Sequence, residues 1–429
     1  MRLGDGAVHP EVNFTLPIMT ISDESWDEVR RQYDSMARSV LDRARTLHVQ
    51  ALMLEFEHLP PISERVDWAY DICHLLREIL DEEYERSGMQ TALRVTPVDL
   101  RYARKPPRLR GGEGWHQLRE AFMTSAKAGA DILSIESEGG KEVSDEALLM
   151  GDISGLMLAL GVLAPRDMAW LWTQIGEICA DHPGTVAGGD SACAFANTAM
   201  QLAHQGLIPE TLAAVVRAAS VARGLVAFET GASGPWKDCG YEGVFLKVIT
   251  GYPISMEGKS ATGAHFSHIG NVAAAACDLW SNESVQNVRL LSGSAPEAFT
   301  ESLIYDCRLM NSALERGDEK TLRDLLVDSD RRLSPQAFVL TPAAAVEIAT
   351  AVVNAESAYG QACDAARTAV SLIRSGLASG DLEILTSGET RWLDQMEDAL
   401  RRLPASEEDL IDRMEPAYGH LYDKESYDL

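Results

Sequence analysis

The feature that most constrains this chain is a repeated alternation: a short apolar run, a few turn residues, then a stretch of helical character. The runs ALMLEFE (51–57), ALRVTPV (92–98), DILSIES (131–137) and LMLALGV (156–162) read as strands. TVAGGD (185–190), LVAFET (225–230), PISMEG (253–258) and VRLLSG (288–293) complete a set of eight. Helical stretches separate them. PRDMAWLWTQIGEICADH (165–182) carries Pro165 in its first turn, and ACAFANTAMQLAHQG (192–206) stops on Gly206. Continuous apolar strands joined by helices call for a parallel sheet covered on both faces. Eight such units predict an α/β fold, a (βα)8 TIM barrel. No GxGxxG follows a strand to open a helix, which counts against an open dinucleotide-binding sheet.

Three segments follow from this reading. Residues 1–50 form an N-terminal helical extension, with ESWDEVRRQYDSMARSVLDRAR as an amphipathic helix before the first strand. Residues 51–295 form the barrel. Residues 296–429 read as a C-terminal helical layer packed on it, the alanine-rich stretch 342–374 favouring helix and close packing. ASEEDLIDRMEPAYGHLYDKESYDL, the last stretch, is expected as a surface tail.

The formal net charge of −27 argues against a nucleic-acid groove or an anionic membrane surface as partner. No hydrophobic signal follows MRLGDGAVHP, and no apolar run is read as approaching the ~20 residues that span a bilayer. Seven cysteines, odd in number and widely spaced, point away from a disulfide framework and towards a reduced, cytoplasmic protein. Five of them, Cys73, Cys179, Cys277, Cys307 and Cys363, lie in helical apolar patterns and read as small buried hydrophobes.

The other two sit in polar, glycine-rich settings, GGDSACAFANTAM (188–200) and GPWKDCGYEG (234–243). In a parallel barrel, functional groups gather at the C-terminal ends of the strands. That rule places Glu136 after DILSI, Asp190 and Cys193 after TVAGG, Cys239 in the loop beyond LVAFET, and Glu257, Lys259 and His265 after PISM. One carboxylate and two thiolates converging there describe a zinc site with an open fourth position. Glu138 is a rival to Glu136, which the strand alternation favours. Asp190, Glu257 and His265 are candidates to carry a proton or to orient a ligand. Each also has a plain structural reading, as a helix cap, an ion pair with Lys259, or a loop hydrogen bond. No GxSxG elbow is present.

On these residues the chain resembles the methanol:corrinoid methyltransferase family, the zinc subunit that works with a separate corrinoid protein. The matching stretches are SIESEGGKE, GGDSACAFANTAM, GPWKDCGYEGVFLKVITGYPISMEGKSA, AHFSHIGN and DLWSNESVQNVRLL, over about residues 131–310. The resemblance implies a TIM barrel with helical additions and a zinc held by Glu136, Cys193 and Cys239. Thr262 and Gly263 in GKSATGAH depart from the Ala-Cys expected of the family; a cysteine ligand there would displace Cys239 from the set.

The resemblance further implies methyl transfer from methanol to the Co(I) corrinoid of a partner protein, with zinc as Lewis acid on the alcohol oxygen. Lowering a water pKa from about 15.7 to about 7 caps that help at roughly 12 kcal/mol. A corrinoid protein must then dock over the barrel mouth, in a heteromeric complex or alongside a homo-oligomer interface. The same chemistry on another methyl donor, such as a methoxylated compound, and a non-catalytic docking barrel are the competing readings; unrelated hydrolytic chemistry is a third.

Overall fold

A computed structural model describes residues 1–429 except 104, 191, 239–240, 258, 260–267, 286–288, 291–292 and 384–385. Eight parallel strands form a barrel that is nearly closed: β1 His9–Thr15, β2 Ala51–Glu57, β3 Gln90–Thr96, β4 Ile132–Ile135, β5 Val186–Asp190, β6 Trp236–Asp238, β7 Ile254–Glu257 and β8 Leu279–Val285. Among the described residues, backbone pairing runs from β5 through β1 and β8 to β6. At the remaining seam Ser233 N, just before β6, donates to Ala187 O of β5 at 2.9 Å.

The barrel and its count agree with the sequence, but three strands are not where the apolar runs put them. LMLALGV lies in a continuous helix from Ile153 to Asp181, and LVAFET lies in the helix Val221–Glu229. The described residues of VRLLSG, Arg289–Leu290 and Gly293, belong with Ser294 to a two-stranded antiparallel hairpin separate from the barrel sheet. The true strands β1, β6 and β8 read HPEVNFT, WKD and LWSNESV. For the two helices the physical reason is the same. Helices caught between the barrel and an outer helical layer are apolar all round, so they imitate buried strands. Strands whose inner face is polar do not, and Pro10 argues further against a central strand.

The helix Ile153–Asp181 also passes straight through Pro165, which sequence reading places in a first turn. A π-helical turn at Ala159–Leu163 precedes it and absorbs the missing donor. The amphipathic helix Trp26–Thr46 forms as expected, but it follows β1, which pairs with β2 and β8, so residues 1–50 hold the first βα unit of the barrel. At the other end, the helix Ala295–Arg316 packs on β1, β8 and the helix Trp26–Thr46, completing the helical ring. Beyond it come helices at Glu319–Asp330, Pro335–Val339, Pro342–Asn354, Ala358–Ser379, Ser387–Arg401 and Glu407–Tyr418. Ser357 caps the fourth of these through Gly360 N, which splits the alanine-rich stretch in two.

The last stretch is no surface tail. Tyr427 is buried, and its hydroxyl accepts a hydrogen bond from Gly140 N at 2.8 Å. Ser426 Oγ accepts another from Leu109 N at 3.1 Å. The run Glu210–Glu229 has the length and hydropathy to cross a bilayer, against the sequence reading, but 94% of its apolar 18-residue window is buried within the protein. It is a core helix pair, with Arg217 and Arg223 both fully buried in it.

The seam between β5 and β6 depends on Gly189. Its φ is +103°, and a methyl group there would lie 2.2 Å from Trp236 Cε3. Gly189→Ala therefore meets both a disfavoured backbone angle and an occupied volume. It should lower stability by about 2–4 kcal/mol, read as an earlier denaturant midpoint with an unchanged slope.

Candidate active site

The interior of the barrel changes character from bottom to mouth. Met53, Ala92, Ile132 and Leu279 form an apolar floor covered by Met1 and Leu3. Two residues further along each strand the inner positions become polar. Arg94 sits at the centre, its Nε donating to Glu11 Oε1 at 2.5 Å and its Nη1 donating to Ser134 Oγ at 2.8 Å and Pro235 O at 2.9 Å. Ser255 Oγ donates to the other oxygen of Glu11. Both members of the Arg94–Glu11 pair are essentially without solvent contact.

Above this layer stands Lys237 of β6. Its Nζ lies 3.0 Å from Glu55 Oε1, 3.4 Å from Glu57 Oε2 and 3.0 Å from Glu136 Oε1. Thr96 Oγ1 donates to Glu55 at 2.7 Å, and Asn13 Nδ2 donates to Glu57 at 2.8 Å. Burial pushes the Glu55 carboxyl up, but the charges of Lys237 and Arg94 overcome it and hold the group below its ordinary value. Glu57 goes the other way: desolvation within the barrel dominates, Lys237 opposes it, and the neighbouring Glu136 and Glu55 charges add to the rise. The Glu57 side chain still keeps 39% of its surface open to the mouth.

Glu136 thus stands where the sequence places it, directly after β4, with its carboxylate in the mouth and one oxygen on Lys237. The rival Glu138 faces elsewhere. Its carboxyl is pushed up to about 7 by desolvation and the nearby Asp99 charge, and its backbone N donates to Asp99 Oδ2 at 3.1 Å. Asp99 and Asp167 clamp Arg101 between them in a fully buried trio, with four contacts of 2.7–2.9 Å. This trio and the Tyr427 hydroxyl fix the turn 136–140.

Cys193 opens the helix Cys193–His204 just beyond β5, half-buried, with its Sγ 4.0 Å from the hydroxyl of Tyr241. Ala192, Ala196, Met200 and Tyr241 pack around it. Asp190, the last residue of β5, is fully buried. Its Oδ1 accepts from Ser137 N at 3.2 Å and Arg223 Nη2 at 3.1 Å. Burial raises its carboxyl, partly offset by the charge of Arg223. Asp190 therefore faces the ground beneath the ligand loops. Cys239 and His265 lie outside the described residues, as do Thr262 and Gly263; Cys239 follows Asp238, the last residue of β6. Glu257 ends β7, and Lys259 lies 2.9 Å from Asp306.

Two of the three expected metal donors are therefore described, at the ends of the adjacent strands β4 and β5, and the third follows β6 across the seam. Among the described residues no trio of His, Cys, Asp and Glu forms a metal cluster. A carboxylate on β4 and a thiol on β5 at one mouth still match the donor chemistry zinc takes. The other cysteines behave as packing residues: Cys73, Cys277, Cys307 and Cys363 are buried and Cys179 is half-buried. Burial pushes the Cys73 thiol up to about 12.

The family follows from the whole chain. The model of the methanol-cobalamin methyltransferase B subunit family matches residues 1–428. This chain belongs to that family. A methanol–corrinoid protein co-methyltransferase of Methanosarcina barkeri is 38% identical over 416 residues, covering 96% of this chain and 89% of that protein. The crystal structure of the methanol:cobalamin methyltransferase complex MtaBC from the same organism superposes with a TM-score of 0.93 at 37% identity, covering 100% of this chain and 93% of that one. The protein is thus a methyltransferase, and the barrel described above is the fold of that family.

Sequence reasoning missed Glu55, Glu57, Arg94, Lys237 and Arg223. A usable signal was present for the first two, since Glu55 and Glu57 alternate inside the otherwise apolar run ALMLEFE and so share the inner face.

Asp99 supplies a pH test of the turn that carries Glu136. Burial raises its carboxyl, but the charge and hydrogen bonds of Arg101 win and hold it below the ordinary range. A depressed folded value means stability that is complete above the unfolded value of about 3.9 and is lost as pH falls through the folded one. Asp99→Asn should cost about 3–5 kcal/mol at pH 7, because it strips a buried partner from Arg101. Thermal melts from pH 6 downward should show the wild-type advantage holding to about pH 4 and shrinking below it.

Proposed function

We propose that this chain moves the methyl group of methanol to the Co(I) of a corrinoid carried by a partner protein, in the cytoplasm, at a zinc held by Glu136, Cys193 and Cys239. The observation that carries the reading is that Glu136 and Cys193 follow the adjacent strands β4 and β5 at the same end of the barrel, in a chain matched by the family model over residues 1–428. The M. barkeri relative is named for methanol and for a corrinoid protein, which supports both the donor and the partner.

In the reaction the C–O bond of methanol breaks and a Co–C bond forms, and the oxygen leaves as hydroxide that must gain a proton. A zinc ion bound at the three ligands would supply Lewis acidity at that oxygen. The protein's own residues prepare the place. Lys237 holds one oxygen of Glu136, and the other would serve as the metal donor. The ionic layer of Glu55, Glu57 and Lys237 forms a polar bed on which a small alcohol sits. Arg94 and Glu11 below it seal the barrel, so approach is from the mouth alone, where a corrinoid domain must dock. Asp190 acts from beneath, holding Ser137 beside Glu136.

Elemental analysis of the purified protein should give about one zinc per chain. Glu136→Gln, Cys193→Ala and Cys239→Ala should each lose it while circular dichroism shows the fold intact. Methyl transfer to a Co(I) corrinoid, followed by the change in cobalt absorption, should run with methanol and stop in the same variants. Zinc retained in Cys239→Ala would move the third ligand elsewhere, and turnover with methoxylated donors but not methanol would replace the substrate.

A further inference from the structure

Beneath the mouth lies a buried ionic network of which only Asp190 and Ser137 have been given a part above. Its hub is Arg223, which projects from the helix Val221–Glu229 in the outer layer and has no solvent contact. Arg223 Nη2 donates to Ser137 Oγ at 2.7 Å and to Asp190 Oδ1 at 3.1 Å, and Met168 Sδ lies 3.3 Å away. Arg223 Nη1 is 3.7 Å from Glu242 Oε1, and that oxygen accepts from Ala192 N at 2.9 Å. The guanidinium also lies 5.1 Å from the ring centre of Phe195.

These contacts have a common address. Ser137 follows Glu136, Ala192 precedes Cys193, Phe195 lies in the first turn of the Cys193 helix, and Glu242 stands three residues after Cys239. One side chain therefore reaches all three loops that carry the expected ligands. We propose that Arg223 is a positioning residue that fixes these loops relative to one another, a role that rests on the zinc reading above.

The chemistry of the side chain suits the task. A guanidinium is planar and rigid, so Nη2 can hold Ser137 and Asp190 while Nη1 faces Glu242 at a set angle, which an ammonium on a flexible stem cannot. Asp190 and Glu242 are both buried carboxylates beside it, so the hub is also their counter-charge. Partners that orient metal ligands typically change metal affinity by about 10–100-fold when altered.

Arg223→Lys keeps the charge beside Asp190 and Glu242 but removes the fork. It should fold, as judged by circular dichroism, and bind zinc about 10–100-fold more weakly in competition with a chromophoric chelator. The Co(II)-loaded variant should show shifted d–d and thiolate-to-metal bands. In metal-stripped protein, Cys193 should react faster with iodoacetamide than in the wild type, read site by site by mass spectrometry. A lower melting temperature with affinity, cobalt spectrum and Cys193 alkylation unchanged would overturn the proposal and leave Arg223 a structural residue. A wild type that takes up neither zinc nor cobalt would refute the zinc reading, and the Cys193 alkylation rates would then decide the positioning role alone. Should Arg223→Lys fail to fold, Ser137→Ala removes a single arm of the network and is read by the same measurements.

Discussion

A guanidinium at the centre of the barrel is the interaction on which this structure most depends. Arg94, on β3, reaches Glu11 on β1, Ser134 on β4 and the carbonyl of Pro235 ahead of β6, and Glu11 in turn accepts from Ser255 on β7. One buried ion pair thus ties together four of the eight strands and the residue ahead of a fifth. Barrel interiors are usually filled by layers of branched apolar side chains. Here only the floor is so filled. Removing one partner of such a pair strands a charge where water cannot reach it, which is why the pair constrains every strand it meets.

The same principle builds the mouth. A lysine amid three carboxylates would be costly without its counter-charges, and the three glutamates would repel one another without the lysine. Together they make a polar surface in the barrel that stays ordered because each charge fixes its neighbours. A second tier, Asp99 with Arg101 and Asp167, and a third, Arg223 with Asp190 and Glu242, lie outside the barrel wall and hold the turns after β4 and β5. Most of the charged residues in these layers, Glu11, Arg94, Asp99, Arg101, Asp167, Asp190, Arg223 and Glu242 among them, are buried.

The outer helices supply this burial. The helix pair Glu210–Ala219 and Val221–Glu229 packs between the barrel and the helix Ala358–Ser379, and the C-terminal segment folds back so that Tyr427 reaches Gly140. The layer therefore does more than cover apolar surface. It excludes water from the arginines, and that exclusion gives their hydrogen bonds strength and direction.

The repeated alternation of apolar and helical segments determined the fold class, and a carboxylate and two cysteines in glycine-rich settings, Glu136, Cys193 and Cys239, marked the candidate site. Those signals are local, because periodicity and turn residues act over a few positions. Which runs became strands was decided only by the tertiary structure. LVAFET is as apolar as any strand yet became a helix, because a second layer buries its outer side. HPEVNFT and WKD became strands because Glu11, Asn13 and Lys237 found partners across the barrel, 44 to 244 residues away in sequence. A charge reads as exposed until the fold provides its counter-charge, and no short window of sequence contains both.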